Sequence, residues 1–188
     1  MPNRQRADAK RNYERILAVA ENAVATHGAS ASLEQIARTA GVGSATVRRC
    51  FPTRRALLEA VSHQRIDALS DRARALAGQG DSRETLLAWL GEVVTYSVTA
   101  RGLAVALSYD AAPADPAHAN SCSAALEEAG EPLLRDAVRD GAVTPGVSVA
   151  DLIALIVGIV LATEHHPDPE AQAHHLFRLA VAGVSPRR

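Results

Sequence analysis

Apolar positions along this chain recur at intervals of three and four residues, the spacing that places them on one face of a helix. The pattern predicts about nine helices. Residues 9–26 make the first, with Tyr13, Ile16, Leu17, Ala20 and Val24 inward, a mobile arm at residues 1–9 ahead of it, and Gly28 as its stop. Leu33, Ile36, Ala37 and Ala40 mark a short second helix. Ser32 stands at its N-cap position and Gln35 three residues on completes a capping box. Gly41 ends it by taking a left-handed conformation. The third helix is Ser44–Cys50, where Val47 is the single large apolar residue before Arg49 and therefore the inward one. At about 100° per residue, Ala45 and Arg49 lie nearly opposite Val47, and Thr46 and Arg48 flank it.

The rest of the pattern is longer and greasier. Thr53 caps a fourth helix reaching residue 77, about 37 Å at 1.5 Å per residue, with Leu57, Leu58, Val61, Leu69 and Leu76 inward. A Gly-Gln-Gly-Asp step breaks the chain at residues 78–81. Ser82 caps the fifth helix, which Leu86, Leu87, Trp89, Leu90, Val93 and Val94 nearly encircle. A short sixth helix is expected at residues 103–109, then a loop at residues 111–116. The seventh, Pro116–Arg139, carries Gly130 and Pro132, which predict a kink or a split. Ser148 caps the eighth, apolar nearly all round over residues 152–161, and Asp168 caps the ninth. A helix apolar on every face needs cover on every face. A second copy of the chain supplies it if two antiparallel helices from each pair into a four-helix interface, with Leu152, Ile156, Val160, Leu176 and Leu179 in the seam. The competing reading keeps the eighth helix at the centre of a monomer.

Residues 32–57 carry the chemistry. Arginine can bridge guanine in the major groove or clamp phosphate, and threonine serves either base or backbone. A buried valine behind Thr46, Arg48 and Arg49 therefore reads as a helix-turn-helix with Ser44–Cys50 as recognition helix. The order Ser32, Ile36-Ala37, Ala40-Gly41-Val42, Ala45-Thr46-Val47, Phe51, Thr53-Arg54, Leu57 resembles the N-terminal domain of TetR-family transcriptional regulators, and the resemblance covers about residues 10–62. Two positions depart from that family's pattern: Arg48 stands where it usually has Tyr, and Cys50 where it usually has His. The resemblance implies an all-α protein in two parts: a three-helix DNA-binding domain at residues 1–52 and a ligand-binding and dimerisation domain at residues 53–188. It implies a homodimer on a near-palindromic double-stranded operator. Ser32, Ser44, Ala45, Thr46, Arg48, Arg49, Thr53 and Arg54 would then face DNA. It also implies a ligand-responsive repressor with a small apolar or amphipathic effector in the body.

Charge sharpens this division. Residues 1–75 hold 13 Lys and Arg against 7 Asp and Glu, a net of +6. The remainder holds 7 against 14, a net of −7, so the near-neutral total of −1 conceals a basic front and an acidic rear. A basic front fits a nucleic-acid-reading head. Aromatics make up only 3%. Trp89, Tyr96 and Tyr109, with Cys122, are candidates to line an effector pocket and equally candidates for core packing. The pairs His165-His166 and His174-His175 invite a metal-carrier or enzyme reading with Glu164. Adjacent histidines diverge by about 100° on a helix, however, and no carboxylate or cysteine cluster completes a ligand set. Surface histidines are the simpler account, so no metal or cofactor is expected. Cys50 and Cys122 do not suggest a disulfide framework. The polar first residues lack a signal core and the longest apolar run is too short for a bilayer, which leads to the expectation of a soluble, cytoplasmic protein. No nucleophile elbow, phosphate loop or zinc-protease motif is present, in keeping with a binding protein and not an enzyme.

Overall fold

The computed structural model describes residues 2–27, 31–108 and 116–184, with side chains at residues 8–27, 31–100 and 124–183. Every element among the described residues is a helix, and there are eight: α1 (Pro2–His27), α2 (Leu33–Thr39), α3 (Ser44–Cys50), α4 (Arg54–Leu76), α5 (Ser82–Ser108), α6 (Pro116–Arg139), α7 (Val149–Thr163) and α8 (Pro169–Val184). The expected stop at Gly28 lies outside the described residues.

The chain divides into two compact units. One takes the residues up to Gln64 together with the end of α5 from Gly102; the other takes 65–101 and the residues from 113 onward. Each has its own apolar core. In the first, Ile16, Ala20, Val24, Ile36, Val47, Phe51, Leu57 and Val61 close on one another. In the second, Ile66, Ala73, Leu86, Trp89, Val94, Leu133, Ile156 and Phe177 belong to a larger cluster.

Several sequence expectations change. The arm at residues 1–9 is helical from Pro2, a residue suited to a first helical position because it has no amide to leave unpaired. Ion pairs Lys10–Glu14 and Arg11–Asp8, one turn apart, support that helix. The expected sixth helix is instead the end of α5. Ser97 and Thr99 donate their hydroxyls to the Val93 and Thr95 carbonyls of their own helix, at 2.8 and 3.1 Å, so their polarity does not interrupt it. Asp81, not Ser82, caps α5, accepting from the Glu84 amide at 2.9 Å. The Ser82 hydroxyl turns to the Asp140 carboxylate and holds its pKa below the ordinary value.

Gly130 and Pro132 do not split α6, which runs through both. Gly130 has a packing role instead. A Cβ there would meet the Trp89 ring at 2.5 Å, so α6 can lie against α5 only with hydrogen at this position. The Trp89 indole, fully buried, donates to the Leu69 carbonyl at 3.0 Å and so ties α5 to α4.

The capping expectations for the last two helices fare better. Ser148 and Asp151 form a reciprocal capping box on α7: the Asp151 amide donates to the Ser148 hydroxyl at 3.1 Å and the Ser148 amide to the Asp151 carboxylate at 2.9 Å. Asp168 accepts from the Ala171 amide at 3.0 Å ahead of α8. The hydrogen bond from the Ser148 side chain, then that from its backbone, lowers the Asp151 pKa below 3.8. A depressed folded-state pKa contributes stability that is present above the ordinary carboxylate range and lost as pH falls through the folded value. Asp151→Asn is therefore expected to lower the melting temperature at neutral pH and to melt with wild type in strong acid. A gap that persisted at low pH would show that the charge is not what stabilises the cap.

Candidate nucleic-acid interface

The first functional unit is built on a tight turn. At the end of α2 the Gly41 amide donates to the Arg38 carbonyl at 3.1 Å and the Val42 amide to Ala37 at 3.0 Å, the paired closure that requires a left-handed residue between them. Gly41 provides it with φ of 64°. The turn delivers α3 directly onto the core, with Val47 fully buried beneath it. The opposite side of α3 faces solvent: Ser44, Ala45, Arg48 and Arg49 are exposed, Thr46 and Cys50 half-buried. Tyr13, expected inward, is 38% exposed and packs its ring against Phe51 with centroids 5.0 Å apart.

Two hydroxyls expected at the DNA side are engaged as caps. Ser32 accepts from the Gln35 amide at 3.4 Å. The Gln35 side chain does not reciprocate; it accepts from Arg38 at 3.0 Å, so the expected capping box is half made. Thr53 accepts from the Ala56 amide at 3.0 Å and starts α4. Both hydroxyls lie on exposed residues; the Thr53 hydroxyl keeps its donor, while that of Ser32 is given to the Glu34 carboxylate at 3.2 Å.

The charge pattern of this unit is more selective than its composition. Lys10, Arg11, Arg15, Arg38, Arg48 and Arg55 each have a carboxylate or amide oxygen partner. Arg49 and Arg54, both exposed, have none; among the described Lys and Arg side chains up to residue 64 they are the unpaired ones. They sit at the end of α3 and the start of α4. Arg48 reaches Glu34 of α2 at 3.9 Å, and the second Glu34 oxygen accepts from the Ser32 hydroxyl at 3.2 Å. Glu34 was not singled out in the sequence, because no spacing rule links it to Arg48.

The expected pocket residues differ in their circumstances. Trp89 is fully buried and its one donor is spent on Leu69, which makes it a packing hub; Tyr96 is half-buried. The side chains of Tyr109 and Cys122 lie outside the described residues. Ser70 of α4, only 4% exposed, has a hydroxyl with no hydrogen-bond partner among the described residues. The expected seam residues divide too. Ile156 and Val160 are buried in their own chain's core at 0% and 4% exposure, and Leu152 and Leu176 are half-buried, while Leu179 is 57% exposed. Neighbouring helices of the same unit already cover Ile156 and Val160, which leaves them little surface to offer a partner. The uncovered apolar side of α7 instead presents Leu155, Val157 and Leu161.

The histidines are dispersed. His165 is exposed beside Glu164 at 3.5 Å, and the His166 ring pairs with the Asp168 backbone. His174 meets the Thr95 hydroxyl at 2.9 Å, and that hydroxyl also donates to Glu170 at 3.1 Å; His175 is exposed. Among the described residues, no three His, Cys, Asp or Glu side chains gather where one metal ion would sit.

Comparison with known families agrees with this layout. Residues 16–61 match the family model for bacterial regulatory proteins of the tetR family, and residues 81–186 match that of the C-terminal domain of SbtR-like transcriptional regulators. No curated protein matches the chain significantly. Among solved structures, a TetR transcriptional regulator from Streptomyces coelicolor is similar with 31% identity and a TM-score of 0.74, over 94% of this chain and 99% of the other. A TetR regulatory protein from Mycobacterium vanbaalenii is similar with 32% identity and a TM-score of 0.71, over 97% and 99%. The transcriptional regulator FadR from Bacillus subtilis, solved with stearoyl-CoA, shares the fold at 17% identity and a TM-score of 0.57, over 92% and 99%.

Proposed function

The chain belongs to the TetR family of transcriptional regulators, and from that premise we propose that it is a ligand-responsive repressor acting as a homodimer on a near-palindromic operator. The observation that carries this reading is the solvent face of α3 and the start of α4, where Arg49 and Arg54 stand without any partner of their own. A guanidinium left uncommitted on a rigid helix is ready to take phosphate or guanine without first giving up an internal bond. Thr46 and Arg48 complete the reading face, and Ser32, Ser44, Ala45 and Thr53 border it. Duplexes selected from a random pool should bind with a steep salt dependence, losing about three orders of magnitude between 50 and 200 mM salt if six or more phosphates are neutralised. Binding indifferent to salt would remove the proposal.

Leu155, Val157, Leu161 and Leu179 support the pairing of two copies through α7 and α8. Exposed large apolar side chains on adjoining helices favour a self-complementary interface, and two-fold symmetry then sets the operator's half-sites about one helical turn or a multiple apart. Leu161→Glu with Leu179→Glu is expected to raise the dimer dissociation constant by about a hundredfold or more, since each buried leucine contributes about 1.5–3 kcal/mol. Light scattering that still returned the mass of two chains at micromolar protein would exclude this surface.

The effector reading is supported by Ser70, whose buried hydroxyl lacks a partner. An unpaired buried hydroxyl is a cost that a ligand can relieve. α4 passes unbroken from the first unit into the second and gives the covalent route by which a ligand in the body changes the heads. The effector acts by binding one of two conformations more tightly.

A further inference from the structure

Resting on the DNA-binding reading above, we infer that Glu34 is a discrimination residue: it holds Arg48 off the phosphate backbone and so suppresses binding to DNA of the wrong sequence. Three observations converge on it. The Glu34 carboxylate spans the two helices of the reading unit, taking Arg48 of α3 at 3.9 Å on one oxygen and the Ser32 hydroxyl at 3.2 Å on the other. Both members of the ion pair are two-thirds exposed on the surface where Ala45 and Arg49 also face solvent, so the pair meets DNA and is not buried away from it. Arg49 and Arg54 on the same unit have no such partner, so of the three arginines Arg48 alone has a carboxylate beside it.

The consequence follows from charge. Without DNA the exposed pair is weak, because water screens both charges. A phosphate that draws Arg48 away must approach a carboxylate left behind without its counter-ion, and like charges repel more strongly as the interface dehydrates. That penalty falls on every phosphate contact whatever the sequence. A major-groove base edge is different: guanine offers Arg48 two acceptors with no net charge, and an amino group of cytosine or adenine offers Glu34 a donor. Glu34 therefore lowers the affinity for arbitrary duplex more than for the operator. Arginine is essential to the device, since it stays charged and keeps a second edge free while one nitrogen faces the carboxylate.

The test compares a duplex recovered by selection from a random pool with a scrambled duplex of the same length and composition. Glu34→Gln keeps the shape and the acceptor for Ser32 while removing the charge. It is expected to tighten binding to the scrambled duplex about threefold or more and the selected duplex less. It should also steepen the salt dependence on the scrambled duplex by about 0.9 in the log-log slope, the signature of one more neutralised phosphate. Both effects should vanish on an Arg48→Ala background, because Glu34 acts through Arg48. Equal changes on the two duplexes, weaker binding to both, or an effect that survives Arg48→Ala would overturn the inference. Arg49→Ala separates this from the broader reading. If it weakens binding while Glu34→Gln changes nothing, only the role of Glu34 fails. If neither substitution alters binding, the DNA-facing surface is wrong and the inference goes with it.

Discussion

Gly130→Ala is expected to cost about 3 kcal/mol of folding stability, far more than a single added methyl group usually does. The new carbon would sit 2.5 Å from the Trp89 ring and 3.1 Å from Val149. Trp89 cannot swing aside cheaply, because it is fully buried and its indole is fixed to the Leu69 carbonyl. In a chain of this size the melting temperature should fall by roughly 6–12 °C. Trp89→Phe supplies the control. Phenylalanine lacks the outer ring atoms that clash, so the double variant should be more stable than the sum of the two single changes predicts, by more than about 1 kcal/mol. Strictly additive melting or urea midpoints would show that the α5–α6 approach has slack.

Arg49→Ala should weaken operator binding by about tenfold to a hundredfold, the effect of removing one direct arginine contact of about 1–3 kcal/mol. Arg54→Ala should make the salt dependence shallower by about 0.9 in the log-log slope if it neutralises one phosphate. Folding should hardly notice either change, since neither side chain has a partner among the described residues. Arg74→Ala, an exposed residue paired with Asp71 in the other unit, gives the comparison and should leave binding unaltered. If the three variants bound alike in fluorescence anisotropy titrations, the assignment of the reading face would fall.

The reading unit was legible in the sequence because local rules decide it. One valine among small and charged residues can only face inward, and Gly41 supplies the left-handed turn that its spacing announced. Caps are local as well, which is why Thr53, Ser148 and Asp168 behave as expected. Ser82 failed because a second candidate, Asp81, stood one residue away with a stronger acceptor. The body was harder for a different reason. Along α7, Leu155 and Ile156 are adjacent and equally apolar, yet one is 36% exposed and the other fully buried. Which side of such a helix is covered depends on where α6 and α8 pack, and periodicity carries no record of that. Gly130 had the same ambiguity. Sequence shows a glycine near a proline and suggests a bend; only the position of Trp89 reveals that the missing side chain makes room for a ring. Glu34 and Arg48 met through a turn between two helices, which no periodic pattern describes.

The single tryptophan of the chain has an experimental consequence. All indole emission comes from one ring sealed in the body and hydrogen-bonded to a backbone oxygen of α4. Any rearrangement that parts α4 from α5 admits water to that ring and moves its emission to longer wavelength. The native protein thus carries its own optical gauge of the α4–α5 junction, readable during ligand titration without a dye or a label.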